Sequence, residues 1–179
     1  VVHTLNLRLF PEQLSYIVNH AEDEVIFLDR SVAGLIWPLM DQFDTVRHVV
    51  LMDDGAPAPD ADAIRPEVHD YEELLAAASP VGWIDVDENR AGSMMYTSGT
   101  TGLPKGVMHS HDTVLWMILT LVPTAQIRYG DRYLNSMPLF HVGALSPVLA
   151  SVFVGSTLVV MKAFDPGNSW ELIRSEQIT

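Results

Sequence analysis

Apolar residues recur along this chain in two rhythms, spacings of three and four residues and short unbroken runs, and their alternation sets the fold class. Pro11 followed by Glu12 opens a helical stretch with Leu14, Ile17 and Val18 on one face, which closes near the acidic cluster Glu22-Asp23-Glu24. Val25 to Leu28 follows as a strand. Val32, Leu35, Ile36, Leu39, Met40 and Phe43 return to helical spacing, and His48-Val49-Val50-Leu51-Met52 reads as a second buried strand. Strands separated by about ten to fifteen helical residues imply right-handed crossovers. The pattern predicts an α/β fold: a partial doubly wound, mainly parallel sheet flanked by helices.

From Asp53 to Glu88 the texture changes. Gly55 to Asp60 is a Pro/Gly-rich loop, and Arg65 is the only Lys or Arg among many acids, so the stretch reads as an acidic surface excursion. Its carboxylates follow no metal-ligand spacing and read as a solvated face. Asp70 is placed to cap a short helix, Tyr71 to Ala78, which Ser79-Pro80 stops. After Arg90 the pattern predicts a strand at Ser93 to Thr97, a loop to Gly106 and a helix from about Asp112 to Val122. A strand at Arg132 to Met137, a helix at Gly143 to Val154, a strand at Thr157 to Met161 and a helix from Pro166 complete the chain. The expected division is a β-α-β unit over 1–52, the acidic excursion over 53–90, and a loop-bearing region over 91–179.

Composition narrows the function classes. Of 179 residues 48% are hydrophobic and 18% charged, below the usual charged share of about 25%, which argues for a buried core and against disorder. Twenty-three acids against ten Lys and Arg give a net charge of −13, with the bases dispersed, so nucleic acid is excluded as a partner. No cysteine is present, so disulfides and thiolate metal sites are ruled out. Tyr133 to Met161 holds no Asp, Glu, Lys or Arg, but Gly143, Pro147 and Gly155-Ser156 break it into pieces too short to span a bilayer. His109-Ser110-His111 reads as a helix start, not a metal pair, and the Val1-Val2-His3-Thr4-Leu5 opening carries no targeting signal; the expected location is cytoplasmic.

The chemistry concentrates in Tyr96-Thr97-Ser98-Gly99-Thr100-Thr101-Gly102-Leu103-Pro104-Lys105-Gly106-Val107. Glycines let backbone N–H groups approach anionic oxygens, hydroxyls add donors, and a lysine supplies a point charge, which together suit a polyphosphate. Gly99 and Gly102 are too close together for a Walker A loop, and Lys105 is followed by Gly106 instead of Ser or Thr.

At these residues the chain resembles the adenylate-forming, AMP-binding superfamily: acyl-CoA synthetases, firefly-luciferase-like enzymes and peptide-synthetase adenylation domains. Its signature is matched from Met94 through Lys105. Met137-Pro138-Leu139-Phe140-His141-Val142-Gly143-Ala144-Leu145 resembles the segment at the family's acyl pocket. Leu9-Phe10-Pro11-Glu12-Gln13-Leu14 with Asn19-His20-Ala21-Glu22-Asp23 is similar to the fatty-acyl-CoA ligase branch.

The resemblance implies ATP and Mg²⁺, with coenzyme A as co-substrate. Thr97, Ser98, Gly99, Thr100, Thr101, Gly102, Pro104, Lys105 and Gly106 would surround the β- and γ-phosphates. Thr97 would also contact Mg²⁺, and His141 would lie beside the substrate carboxylate and adenylate. Lys105 and His141 are the implied catalytic residues. The implied reaction activates a carboxylic acid, a medium- or long-chain fatty acid, to an acyl-adenylate and then to acyl-CoA, releasing AMP and pyrophosphate. The alternatives are an amino-acid or aryl-acid adenylation domain and a noncatalytic nucleotide-binding fragment. The family's downstream motifs, including a C-terminal-domain lysine, have no counterpart here. The chain therefore reads as an internal fragment of the large N-terminal domain, inactive alone, with no transmembrane segment, peripheral membrane contact left open and oligomeric state unspecified.

Overall fold

The computed structural model describes residues 1–97 and 102–179. In chain order its elements are β1 (Val2–His3), α1 (Pro11–His20), β2 (Val25–Asp29), α2 (Ala33–Ile36), β3 (His48–Met52), β4 (Glu67–Asp70), α3 (Tyr71–Ala77) and β5 (Ala91–Tyr96). They continue with β6 (Gly106–Ser110), α4 (His111–Thr124), β7 (Arg132–Asn135), α5 (Val142–Val154), β8 (Thr157–Val160) and α6 (Pro166–Ser175). The strands form three small sheets, ordered β1-β5-β6, β2-β3-β4 and β7-β8. The pairs β1/β5, β2/β3, β3/β4 and β7/β8 are parallel, so each needs a crossover connection; helical segments supply it between β2 and β3 and between β7 and β8, and a loop with a 3₁₀ turn between β3 and β4. The chain is an α/β protein with helices against mainly parallel sheets.

The structure divides into two compact units. One comprises Leu7–Asp85 and Tyr96–Gly106. Its core is Leu14, Ile17 and Val18 of α1, Ile26 and Leu28 of β2, Val49, Val50 and Leu51 of β3, and Ile36, Met40, Phe43 and Val46 from the crossover, all buried. The alternation in β2 puts Ile26 and Leu28 inward and leaves Phe27 exposed on the other face. Asn19 ties α1 to the end of the crossover: its amide donates to Gln42 O at 2.7 Å and its carbonyl accepts from Asp44 N–H at 2.8 Å. At the carboxyl ends of the strands Arg30 joins Asp53 at 2.7 Å and Asp70 at 3.1 Å.

Two differences from the sequence reading belong here. The periodic stretch Val32–Phe43 is one turn of α-helix, α2, between 3₁₀ turns, because Pro38 lacks the N–H that a continuing helix would need. Within the acidic stretch, Glu67–Asp70 forms β4, in parallel register with β3 from His48↔Glu67 to Leu51↔Asp70. Asp70 does cap α3, accepting from the N–H groups of Glu72 and Glu73.

The other unit comprises Val1–Asn6, Val86–Met95 and Val107–Thr179. Here β1 pairs with β5, Val2 opposite Ser93. The α4 and α5 helices pack with Ile118, Ala144 and Ala150 buried, and Met161 closes the end of β8. Much apolar surface stays in solvent, including Trp116 on α4 and Val152 on α5, 63% and 70% exposed. His109 and Ser110 end β6, whereas the sequence placed them at a helix start. Ser110 is the N-cap, its hydroxyl accepting from Thr113 N–H at 3.1 Å, so α4 begins at His111.

Candidate active site

The glycine-rich loop is rooted in the Leu7–Asp85 unit. Thr97 N–H donates to Lys105 O at 3.0 Å, and Lys105 N–H donates to Thr97 Oγ1 at 3.1 Å. This reciprocal pair holds the loop's two ends together. Pro104 is fully buried beside it, while Lys105 and Gly106 are exposed. Gly102 has φ +154°, a backbone conformation that disfavours side chains. Ser98, Gly99, Thr100 and Thr101 lie outside the described residues.

Thr97 Oγ1 spends one lone pair on Lys105 N–H, which leaves its O–H and a second lone pair for an external group. That donor set fits a phosphate oxygen or a hard, oxygen-seeking cation such as Mg²⁺.

Tyr96, at the loop's root, carries its phenol oxygen 2.7 Å from His20 Nδ1, and the two rings meet edge to face at 5.9 Å. Burial raises the Tyr96 pKa, with Tyr16 and Asp23 adding in the same direction, so the group is a neutral phenol near neutral pH. The contact ties the loop to α1. Sequence reasoning missed it, since the partners are 76 positions apart and no periodicity joins them.

In the other unit His141 stands at the N-cap of α5. Its Nδ1 accepts from Gly143 N–H at 3.0 Å, and its backbone N–H donates to Pro138 O at 3.1 Å. With Nδ1 occupied as acceptor, the neutral ring carries its proton on Nε2. The ring is exposed. A Cβ at position 143 would lie 3.1 Å from Nδ1, so Gly143 makes room for the ring. Asn135, wholly buried at the end of β7, donates to Met137 O at 3.1 Å and shapes the segment leading to His141.

Beside α5 lies a small cavity of about 100 Å³, partly open to solvent, with walls almost wholly apolar. Met95 of β5, Val114 and Met117 of α4, and Leu145 and Leu149 of α5 line it. Ser146 contacts Met117 Sδ at 3.0 Å, and Ser93 Oγ, also in the wall, has no hydrogen-bond partner among the described residues. Such a space takes an aliphatic group far more readily than a charged one.

A family model described as AMP-binding enzyme matches residues 1–179. The chain belongs to the AMP-binding enzyme family. It is 40% identical to a medium-chain-fatty-acid–CoA ligase of Ectopseudomonas oleovorans, over all of this chain and 33% of the relative. It is 38% identical to a long-chain-fatty-acid–CoA ligase of Thermus thermophilus, again over the whole chain and 32% of the relative. The inhibitor-bound N-terminal domain of FACL13 from Mycobacterium tuberculosis superposes with a TM-score of 0.76 at 29% identity, over 97% of this chain and 41% of that one. The chain thus spans about a third of the length of these ligases. Among the described residues no helix is long and apolar enough to cross a membrane.

Proposed function

We propose that this family member works within an AMP-forming acid–thiol ligase that converts a medium- or long-chain fatty acid to its CoA thioester. The observation that carries the reading is the pinned loop: Thr97 and Lys105 close a glycine- and hydroxyl-rich segment whose lysine is exposed. The apolar cavity supports an aliphatic acid over an amino acid.

In the first step a carboxylate oxygen attacks the α-phosphorus of ATP, the bond to the β-phosphate breaks, and pyrophosphate leaves. The Lys105 ammonium, the hydroxyls of the loop and those of its N–H groups not used in the Thr97–Lys105 pairing hold the β- and γ-phosphates and their growing charge. Mg²⁺, held with help from Thr97, would neutralise phosphate charge. His141, its proton fixed on Nε2 by the Gly143 contact, donates a hydrogen bond to the carboxylate or the adenylate. In the second step the CoA sulfur attacks the acyl carbon, and AMP departs with the electron pair of the broken anhydride bond.

The test is ATP–pyrophosphate exchange by the full translation product that contains this chain, with aliphatic, aromatic and amino acids offered in turn. Aliphatic acids should stimulate exchange, and Lys105→Ala should reduce it by about 10²-fold or more while leaving the melting temperature within about 1 °C. Absence of exchange with every acid, in a folded protein, would favour a noncatalytic nucleotide-binding role. Preference for amino or aryl acids would move the reading to an adenylation domain of that class.

A further inference from the structure

Three electron-rich atoms converge at the start of the β3/β4 pair. His48 Nδ1 is 3.0 Å from His69 Nε2 and 3.5 Å from Glu67 Oε2, and His69 Nε2 is 3.9 Å from the same oxygen. The parallel register creates this meeting. Glu67 is the cross-strand partner of His48, and His69 lies two positions further along β4, so the strand period of two puts all three on one face. With neutral rings, one of the two nitrogens carries the proton of their hydrogen bond, and a change of tautomer in that ring would leave lone pairs on all three atoms. Before that change the carboxylate faces one bare nitrogen and one whose proton is spent on its neighbour, an arrangement that favours a cation among them.

We propose that His48, Glu67 and His69 form a binding site for a borderline divalent cation, Zn²⁺ above all. The spacing fits: a point equidistant from the three atoms lies about 2.0 Å from each, the usual Zn–N and Zn–O bond length. Two imidazoles and one carboxylate select Zn²⁺ over Mg²⁺, which demands oxygen ligands. The Glu67 side chain is 69% exposed, so solvent supplies the fourth ligand. On binding, the ring that donates in the His–His hydrogen bond shifts its proton to its other nitrogen, and both ligating atoms present lone pairs; no proton need leave the protein. The ion would staple β4, the edge strand of its sheet, to β3. This site is independent of the phosphate loop and of the reaction proposed above.

The experiment is titration of the full translation product with Zn²⁺ by calorimetry and with Co²⁺ by visible absorption, which intensifies when Co²⁺ becomes four-coordinate. His69→Gln, His48→Asn and Glu67→Gln are compared, the last because a surface carboxylate can be neutralised without disturbing the fold. The wild type should bind one Zn²⁺ that excess Mg²⁺ does not displace, with a raised melting temperature. Each variant should lose at least about tenfold in affinity for that ion and lose the melting shift while melting like the wild type without metal. Equal Zn²⁺ stoichiometry and affinity in the wild type and Glu67→Gln, or no Zn²⁺ bound by the wild type at micromolar concentration, would overturn the proposal.

Discussion

Thr97 and Tyr96 are neighbours with separable duties. The Thr97 hydroxyl accepts from an exposed Lys105 N–H, so deleting it costs stability at the low end of the usual range, about 0.5–1 kcal/mol. Thr97→Val is therefore expected to fold while losing far more exchange activity than stability, and Thr97→Ser should restore both. Equal losses in melting and exchange would assign the hydroxyl to folding alone. Tyr96 gives a pH dependence with a definite sign. Its folded pKa lies above the ordinary value of 10.0, so the folded state holds the phenol proton more tightly than the unfolded chain does. The associated stability is fully present below pH 10 and is lost as pH rises through the folded value. Tyr96→Phe should flatten the alkaline fall of the melting temperature, although it also loses the His20 contact. Melting curves of the two proteins that fall in parallel above pH 10 would remove Tyr96 from that account.

The helices share an ending that sequence alone revealed only once. After α1, α4 and α6 the chain turns through a left-handed residue at Glu22, Gln126 and Gln177, and α5 ends the same way at Gly155. In each a following N–H reaches back to a carbonyl of the last turn: Asp23 to Val18, Ile127 to Val122, Ile178 to Ile173, Ser156 to Ser151. Gly155 announces its turn because glycine is at home there; the other three are paid for in backbone strain and carry no composition signal. Gln126→Gly should accordingly raise stability by about 0.5–1 kcal/mol. Gly155→Ala should lower it by about 1–2 kcal/mol, since the new Cβ would also meet Tyr129 Cδ2 at 3.2 Å. Thermal melting of the two variants decides both. The elements set by local spacing, α1, α4, α5, β3 and β8, were legible to within a few residues. Those that exist through pairing were not: β4 has four residues of mixed polarity and is a strand because β3 lies beside it. The same holds for the His48–Glu67–His69 cluster, whose members no linear spacing joins. The loop was legible as composition, but its pinning by Thr97 and Lys105 and the Tyr96–His20 tether depend on contacts that only the folded chain makes.

At the scale of the whole molecule the two units are unequal. The Leu7–Asp85 unit has a well-filled core, whereas α4 and α5 of the other leave Leu115, Trp116, Leu119, Val152 and Phe153 in solvent. Exposed apolar area of this kind is a liability for a chain on its own. A protein limited to residues 1–179 should bind a dye selective for apolar surface and self-associate with rising concentration, as light scattering would register; a strictly monomeric, dye-free sample would show that these faces are tolerated. The pairing of β1 with β5 adds a matter of timing. Val2 waits for Ser93, and Leu7–Asp85, which holds the core of the well-filled unit, is threaded between them. At about 5–20 residues per second, roughly 5 to 20 s of synthesis separate the two strands, longer than a small domain needs to fold. The core of the inserted unit, all of which lies within Leu7–Asp85, is thus born first, and the segment that encloses it in sequence closes only after its tenant has settled, with the Tyr96–Gly106 loop joining last.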